Sequence, residues 1–440
     1  MRAPTTHLPG FSTPTTDADG VYRKVAFKVL PLLIVCYLFA YLDRVNVGFA
    51  KLQMLQDLKL SDAAYGFGAG IFFIGYLIFE VPSNVLMMRI GAKKTICRIM
   101  ILWGLISMAM AFVQTPTQFY VVRFLLGLAE AGFYPGIVLY LTFWFPSYRR
   151  SRMLAIFYMA VPLSGIIGGP VSGFLLQFAG GQGGLAGWQW LFLIEGLPSV
   201  LLGIAVPFLL CNSPKEAHWL SDDEKKCILD DLAENEREKA ALASKHPGVM
   251  GVIRDARVWK MSLLCLCQAM LIYGLSFWLP SLVQQLGVKG SFDIGLISAI
   301  PLLFAMVVMQ INCRSSDKRK ERRWHLIVPF ITAAVFLSLS TVLRNPVIAM
   351  GALTLGVISS YCVTTIMWSL PSLFLSGVGM AAGIGMINAL GGLGGFISPW
   401  VIGVAKDVTH STAGGLYFVA LVCLVGAWLT YRLPAHEVNR

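Results

Sequence analysis

Six ionisable side chains fall inside long apolar runs of this 440-residue chain: Asp43, Arg44, Glu80, Arg123, Glu130 and Glu195. Hydrocarbon solvates charge poorly, so ionisable groups at membrane depth pair with one another, take up protons or line a watered cavity. Asp43 and Arg44 are neighbours, and on a helix their side chains diverge by about 100°. They can therefore serve two surfaces, Arg44 a central cavity and Asp43 the helix that carries Arg123. Arg123 and Glu130 are seven positions apart and share a face, roughly 10 Å from one another. An acid beside an arginine stays ionised, whereas an acid in an apolar pocket without that partner picks up a proton. An Arg123 that moves between two acids would thus switch their affinity for protons, which is the chemistry of proton coupling. The competing account is a salt-bridge network that only ties helices together; the cost of intramembrane charge favours function for Asp43, Arg44, Arg123 and Glu130. Glu80 and Glu195 fall near helix ends, where charges reach water, and packing or loop anchoring is the expectation for both.

The elements that must position these groups are transmembrane helices. The chain is 56% hydrophobic and 13% charged, about half the charged share of soluble domains. Apolar runs near 20 residues, each long enough to cross a bilayer core, recur a dozen times. The expected spans are 25–50, 63–88, 95–114, 117–145, 151–178, 189–210, 258–286, 291–313, 324–343, 346–374, 378–405 and 412–433, numbered 1 to 12 below. The first 20 residues lack a basic segment followed by an apolar one, so no cleaved signal peptide is expected. The division is a cytoplasmic tail (1–24), a six-helix bundle (25–210), a cytoplasmic linker (211–257), a second six-helix bundle (258–433) and a cytoplasmic tail (434–440). The linker contains Ser221-Asp-Asp-Glu224, a capping box that opens a surface helix.

The net charge of +12 does not call for nucleic acid, because its placement explains it. All but seven of the 35 Lys and Arg fall in segments on one side of the expected membrane. Lys51, Lys59, Lys289, Arg344 and Lys406 fall on the other, and Arg44 and Arg123 lie within spans. That bias puts both termini in the cytoplasm. The nine Cys are scattered, and no disulfide framework or metal site is implied. The glycines Gly383, Gly385, Gly391, Gly392, Gly394 and Gly395 lie within a membrane span with no preceding strand, so they are not a nucleotide loop, and no Walker motif appears. No nucleophile, base and orienter can be assembled, so the chain is not expected to be an enzyme.

The halves repeat. Arg89 in the basic loop after span 2 and Lys318 in the basic loop after span 8 are 229 apart; so are Pro170 and Pro399, each in a Gly-rich stretch. Two matches at one offset support an internal repeat, and two such halves with a midplane site between them form a transporter architecture. A shift of 229 puts Asp43 at Ile272, Arg123 at Ala352 and Glu130 at Ser359, so the charges are confined to the first half.

The chain resembles the major facilitator superfamily along nearly its whole length. The basic loops after spans 2 and 8 (Arg89, Lys93; Asp317, Arg319) match that superfamily's gating-loop signature, although Met88 stands where an acid is expected before Arg89. Tyr41-Leu-Asp43-Arg44-Val-Asn46, Arg123-Phe-Leu-Leu-Gly127-Leu-Ala-Glu130-Ala-Gly132-Phe-Tyr-Pro135 and Trp144-Phe-Pro146 resemble the anion:cation symporter family. Phe79-Glu80-Val-Pro82-Ser83-Asn84 and Leu193-Ile-Glu195-Gly196 are similar to its tartrate-transporter-like branch. The resemblance implies an all-α fold of 12 transmembrane helices in two pseudo-symmetric bundles, in a bacterial inner membrane. It implies that Asp43 and Glu130 titrate, that Arg44 contacts the anion, and that Tyr41, Tyr76 and Asn388 line the cavity. Tyr361, in the polar run Ser359–Thr365, is added to the substrate set. Pro162 replaces a polar residue that sugar-acid members use, which argues against a long polyhydroxylated substrate.

The function expected is proton-coupled uptake of a small organic anion, such as a tartrate-like hydroxy acid or an aromatic acid. The coupling ion is the proton, there is no other cofactor, and the unit is a monomer in the bilayer. Gly165-x3-Gly169-Pro170-x2-Gly173 keeps a proton-linked drug antiporter open; small-residue spacing is also generic helix packing. A transporter-fold receptor is the remaining alternative.

Overall fold

The structure is a computed structural model that describes residues 17–243, 254–371 and 377–439. The signal-peptide expectation, most of the first tail and part of the linker fall outside these residues. Twelve helices among them are long and apolar enough to span a bilayer: Ala18–Asp57, Asp62–Ile90, Ala92–Phe112, Pro116–Thr142, Ser147–Phe178, Gly187–Leu209, Ala256–Gln285, Ser291–Arg319, Arg323–Val342, Pro346–Met367, Gly383–Thr409 and Ala413–Tyr431. Most extend beyond the apolar runs because polar end turns continue the helical hydrogen bonding past the hydrocarbon boundary. With an even number of spans, the first and last helices end on one face, called here the terminal face.

The repeat is visible in the helix boundaries. Asp62 and Ser291 open spans 2 and 8, and Ile90 and Arg319 close them; both pairs are separated by 229 residues, the separation at which Arg44 and Tyr273 touch. Contacts repeat as well. The backbone at Gly66 in span 2 lies against Pro399 in span 11, and its repeat counterpart Gly295 in span 8 lies against Gly169 and Pro170 in span 5. A Cβ on Gly66 would sit 2.9 Å from the Pro399 carbonyl carbon, so glycine is what lets these helices close. The two halves therefore meet tightly on the face opposite the termini.

A charged cluster sits at that closure. Lys51 Nζ is 2.7 Å from Asp62, and Lys406 Nζ is 2.9 Å from the same carboxylate. Asp407 accepts the backbone N–H groups of Asp62 and Ala63 at 3.0 and 2.8 Å, an N-terminal cap supplied by the other half. Lys51, expected beyond the end of span 1, is instead buried within the helix, 3.1 Å above the Trp278 ring. The helical register of Val47–Asp57 turns it inward.

Span 4 is discontinuous. Its first helix ends at Glu130, Ala131 is extended, Gly132 takes φ +86°, and a second helix runs Phe133–Thr142. The helix Asp222–Ala243 follows span 6; Ser221 and Glu224 cap it reciprocally, at 2.8 and 3.2 Å. It docks on the terminal face of the first half, through Lys24–Glu224 at 2.8 Å and through the Tyr22 and Tyr148 hydroxyls, both donating to Asp231.

Candidate functional site

Arg44 stands at the centre. Its Nη2 donates to Glu130 Oε1 in a buried ion pair, and its Nη1 donates to the Tyr273 hydroxyl of span 7 at 3.1 Å. Tyr273 is the repeat counterpart of Arg44. Two repeat-related residues that touch must lie beside the pseudo-twofold axis, so Arg44 sits where the halves meet. Its guanidinium lies 5.2 to 5.6 Å from the Tyr41, Phe72 and Tyr76 rings, which supply cation–π attraction. Glu130 ends the first helix of span 4, where the carbonyl end of the helix dipole disfavours negative charge. Arg44 offsets both.

A cavity opens beside this pair. Tyr37, Tyr41, Arg44, Tyr76, Glu80, Tyr134 and Tyr158 line it from the first half, and Gln268, Tyr273, Thr364, Trp368 and Asn388 from the second. Gln268 is oriented by donating to Thr364 Oγ1 at 2.7 Å. Four expected substrate residues, Arg44, Tyr41, Tyr76 and Asn388, thus share one cavity. Tyr361 does not join them. It lines a smaller, mainly apolar chamber with Tyr41, Ile272 and Ser276. Pro162 lines neither space; Tyr158, one turn earlier, is the span 5 residue at the cavity.

The acids depart from expectation. Asp43 does not face span 4. Its carboxylate accepts Trp103 Nε1 and Ser107 Oγ, both at 2.9 Å, and Ser199 Oγ at 2.7 Å, so it points to spans 3 and 6, behind the cavity wall. Asp43 diverges from Arg44 as adjacent helical positions must, but the helices on that side are spans 3 and 6, not span 4. Among the described residues Arg123 pairs with no acid. It donates to the carbonyls of Gly68 and Ala69 in span 2 at 3.4 and 3.2 Å and lies 5.2 Å from the Phe72 ring. The cation holding Glu130 is therefore Arg44. Arg89 is exposed at the end of span 2, and Asp317 lies 3.9 Å from Arg322 of its own loop; Lys93 offers its backbone N–H to Asn212 after span 6. These loop groups sit at the terminal face, away from the cavity.

Glu80, expected to pack or to anchor a loop, lines the cavity, where its Oε1 accepts Asn388 Nδ2 at 2.7 Å across the halves. The signal was present: Glu80 is one helical turn from Tyr76, so a cavity role for one implied the other. Glu195 was expected to reach water at a helix end and instead is 3% exposed.

The sequence description of the Major Facilitator Superfamily matches residues 33–399. The chain belongs to the major facilitator superfamily. It is a multi-pass membrane transporter of that superfamily, not an enzyme, in the tartrate-transporter-like branch. A protein of Agrobacterium vitis described as "Putative tartrate transporter" is 46% identical over 93% of this chain and 94% of its own. The "Putative metabolite transport protein NicT" of Pseudomonas putida is 44% identical over 96% of each chain, and the "Quinolone resistance transporter" of Acinetobacter baumannii is 42% identical over 93% and 94%. Among solved structures, a D-xylose-proton symporter superposes with TM-score 0.74 at 15% identity, covering 95% of this chain and 99% of that one, a likeness of fold.

Proposed function

We propose that this transporter is a proton-coupled importer of a small organic anion, with the terminal face in the cytoplasm of a bacterial inner membrane. The observation that carries the reading is the Arg44–Glu130 pair at the cavity wall. A substrate carboxylate that takes the planar guanidinium fork displaces Glu130 from it. Glu130 then lies buried beside the end of a helix with no cation, and a proton relieves it. Anion and proton thus bind together. Arg44 also holds Tyr273 of the other half, so occupation of the guanidinium bears on the contact between the halves, and rocking of the two bundles about it moves the site between faces. The excess of Lys and Arg in terminal-face segments supports the orientation. Tartrate-like hydroxy acids are favoured by the relatives, and aromatic acids by the tyrosines of the cavity.

The test is uptake of radiolabelled tartrate and benzoate by proteoliposomes with an imposed pH gradient. Accumulation when the outside is acidic supports the reading. Uptake unaffected by the gradient removes it. The 42% identical quinolone-resistance relative favours a second reading, proton-driven export; it predicts the opposite gradient dependence.

A further inference from the structure

Asp43 lies behind the cavity wall, so a proton that reaches it through the substrate cavity must cross the helix that carries Arg44. A separate row of polar groups lies on another side of span 1. Asn46, Gln53 and Asp57 recur along span 1 at helical spacing, on one stripe facing spans 5 and 6. Asp57 accepts Trp188 Nε1 of span 6 at 2.6 Å near the face opposite the termini. Gln53 donates to the Leu176 carbonyl of span 5 at 2.8 Å. Asn46 is 1% exposed, and its side-chain amide interacts with the Glu195 carboxylate. Glu195 on span 6 accepts Ser172 Oγ at 2.6 Å on Oε1, and its other oxygen is buried. One turn along span 6, Ser199 donates to Asp43. Neither Asp43 nor Glu195 has an ion pair among the described residues; the polar groups facing them from spans 1, 3, 5 and 6 are Asn46, Trp103, Ser107, Ser172 and Ser199, and the charged groups acting on them are each other and, on Asp43, Glu130 of span 4. A buried carboxylate without a cation is unfavourable when ionised and readily takes a proton, and neither Asn46 nor Glu195 borders either cavity.

We propose that Glu195 is a proton relay, carrying protons from the face opposite the termini to Asp43 along the seam of spans 1, 5 and 6, separately from the substrate cavity. In the transfer, the proton leaves the Glu195 carboxyl and lands on the Asp43 carboxylate; Glu195 stays ionised until it is reprotonated from that face. The inference rests on the proton coupling proposed above.

Glu195→Gln keeps an acceptor for Ser172 but cannot exchange a proton. Ser172→Ala removes the hydrogen bond but keeps the carboxyl. In proteoliposomes given tartrate or benzoate, the relay predicts that Glu195→Gln loses gradient-driven accumulation while retaining counterflow, and that Ser172→Ala transports normally. Independently of any substrate, an infrared pH titration of the wild type minus Glu195→Gln should contain a protonated-carboxyl C=O band that shifts in Asp43→Asn. Wild-type uptake that ignores the gradient would defeat the coupling reading itself. A wild type that accumulates its anion, beside a Glu195→Gln that does so equally, overturns the relay alone, as does absence of the carboxyl band.

Discussion

Arg44 makes three kinds of contact at once: an ion pair with Glu130, a hydrogen bond to Tyr273 and cation–π contacts with three rings. Glu130 competes with a substrate carboxylate for this cation. Glu130→Gln should therefore bind the carboxylate more tightly at neutral pH, by about tenfold or ~1.4 kcal/mol, and lose the gain in affinity that acidification gives the wild type. Titration calorimetry across pH would show both effects; an unchanged pH dependence would remove Glu130 from coupling. Arg44→Lys keeps the charge but not the fork, and a lysine cannot hold Glu130 and Tyr273 in one plane while presenting two N–H groups to a carboxylate. Counterflow of the labelled anion is expected to fall steeply in that variant.

The break in span 4 exists because Gly132 takes a positive φ, and a Cβ there would meet Ser83 Cβ at 2.5 Å. Left-handed backbone costs a non-glycine residue about 1–2 kcal/mol before any clash. Gly132→Ala should lower the melting temperature in detergent and weaken anion binding, since the strain lies two residues from Glu130. The helix Asp222–Ala243 gives an element-scale pH prediction. The Lys24 ammonium and the Ser221 N–H hold the Glu224 carboxyl below the usual glutamate range. A depressed folded-state value stabilises docking above that range and loses the contribution as pH falls through it. At this partly exposed site the effect is at most about 1 kcal/mol. Hydrogen exchange of this helix should therefore show reduced protection only in acid, below about pH 4.

The closure opposite the termini is shared between both halves, and its strength sets how the whole molecule divides its time between conformations. Lys51 and Lys406 converge on Asp62 from the two halves. Lys406→Met removes the ion pair that crosses between the halves and should shift the equilibrium toward opening on that face by about 1 kcal/mol. Distances between spin labels on spans 2 and 11 would report it. Gly66→Val acts on the same contact sterically. It should hold the face open, label readily with impermeant thiol reagents at an introduced cysteine in the seam, and abolish transport while the protein still folds, because the clash exists only in the closed arrangement.

The residue types and spacings in the sequence determined the twelve spans, the repeat at 229 residues and the presence of intramembrane charge. Each follows from a one-dimensional property: apolar length against bilayer thickness, self-similarity, and the rarity of charge in hydrocarbon. The tyrosine–arginine–asparagine cavity was also legible, through motif resemblance. Tertiary structure alone decided which partner each charge meets. Helical periodicity gives the angle between Asp43 and Arg44 but not which helices stand at those angles, so Asp43 meets spans 3 and 6 and Arg123 meets carbonyls. Glu80 and Asn388 are 308 residues apart, and Lys51 looks like a loop cation until Trp278 is packed beneath it. Depth in a membrane can be read along one chain, but direction around a helix acquires meaning only when the neighbouring helices are in place.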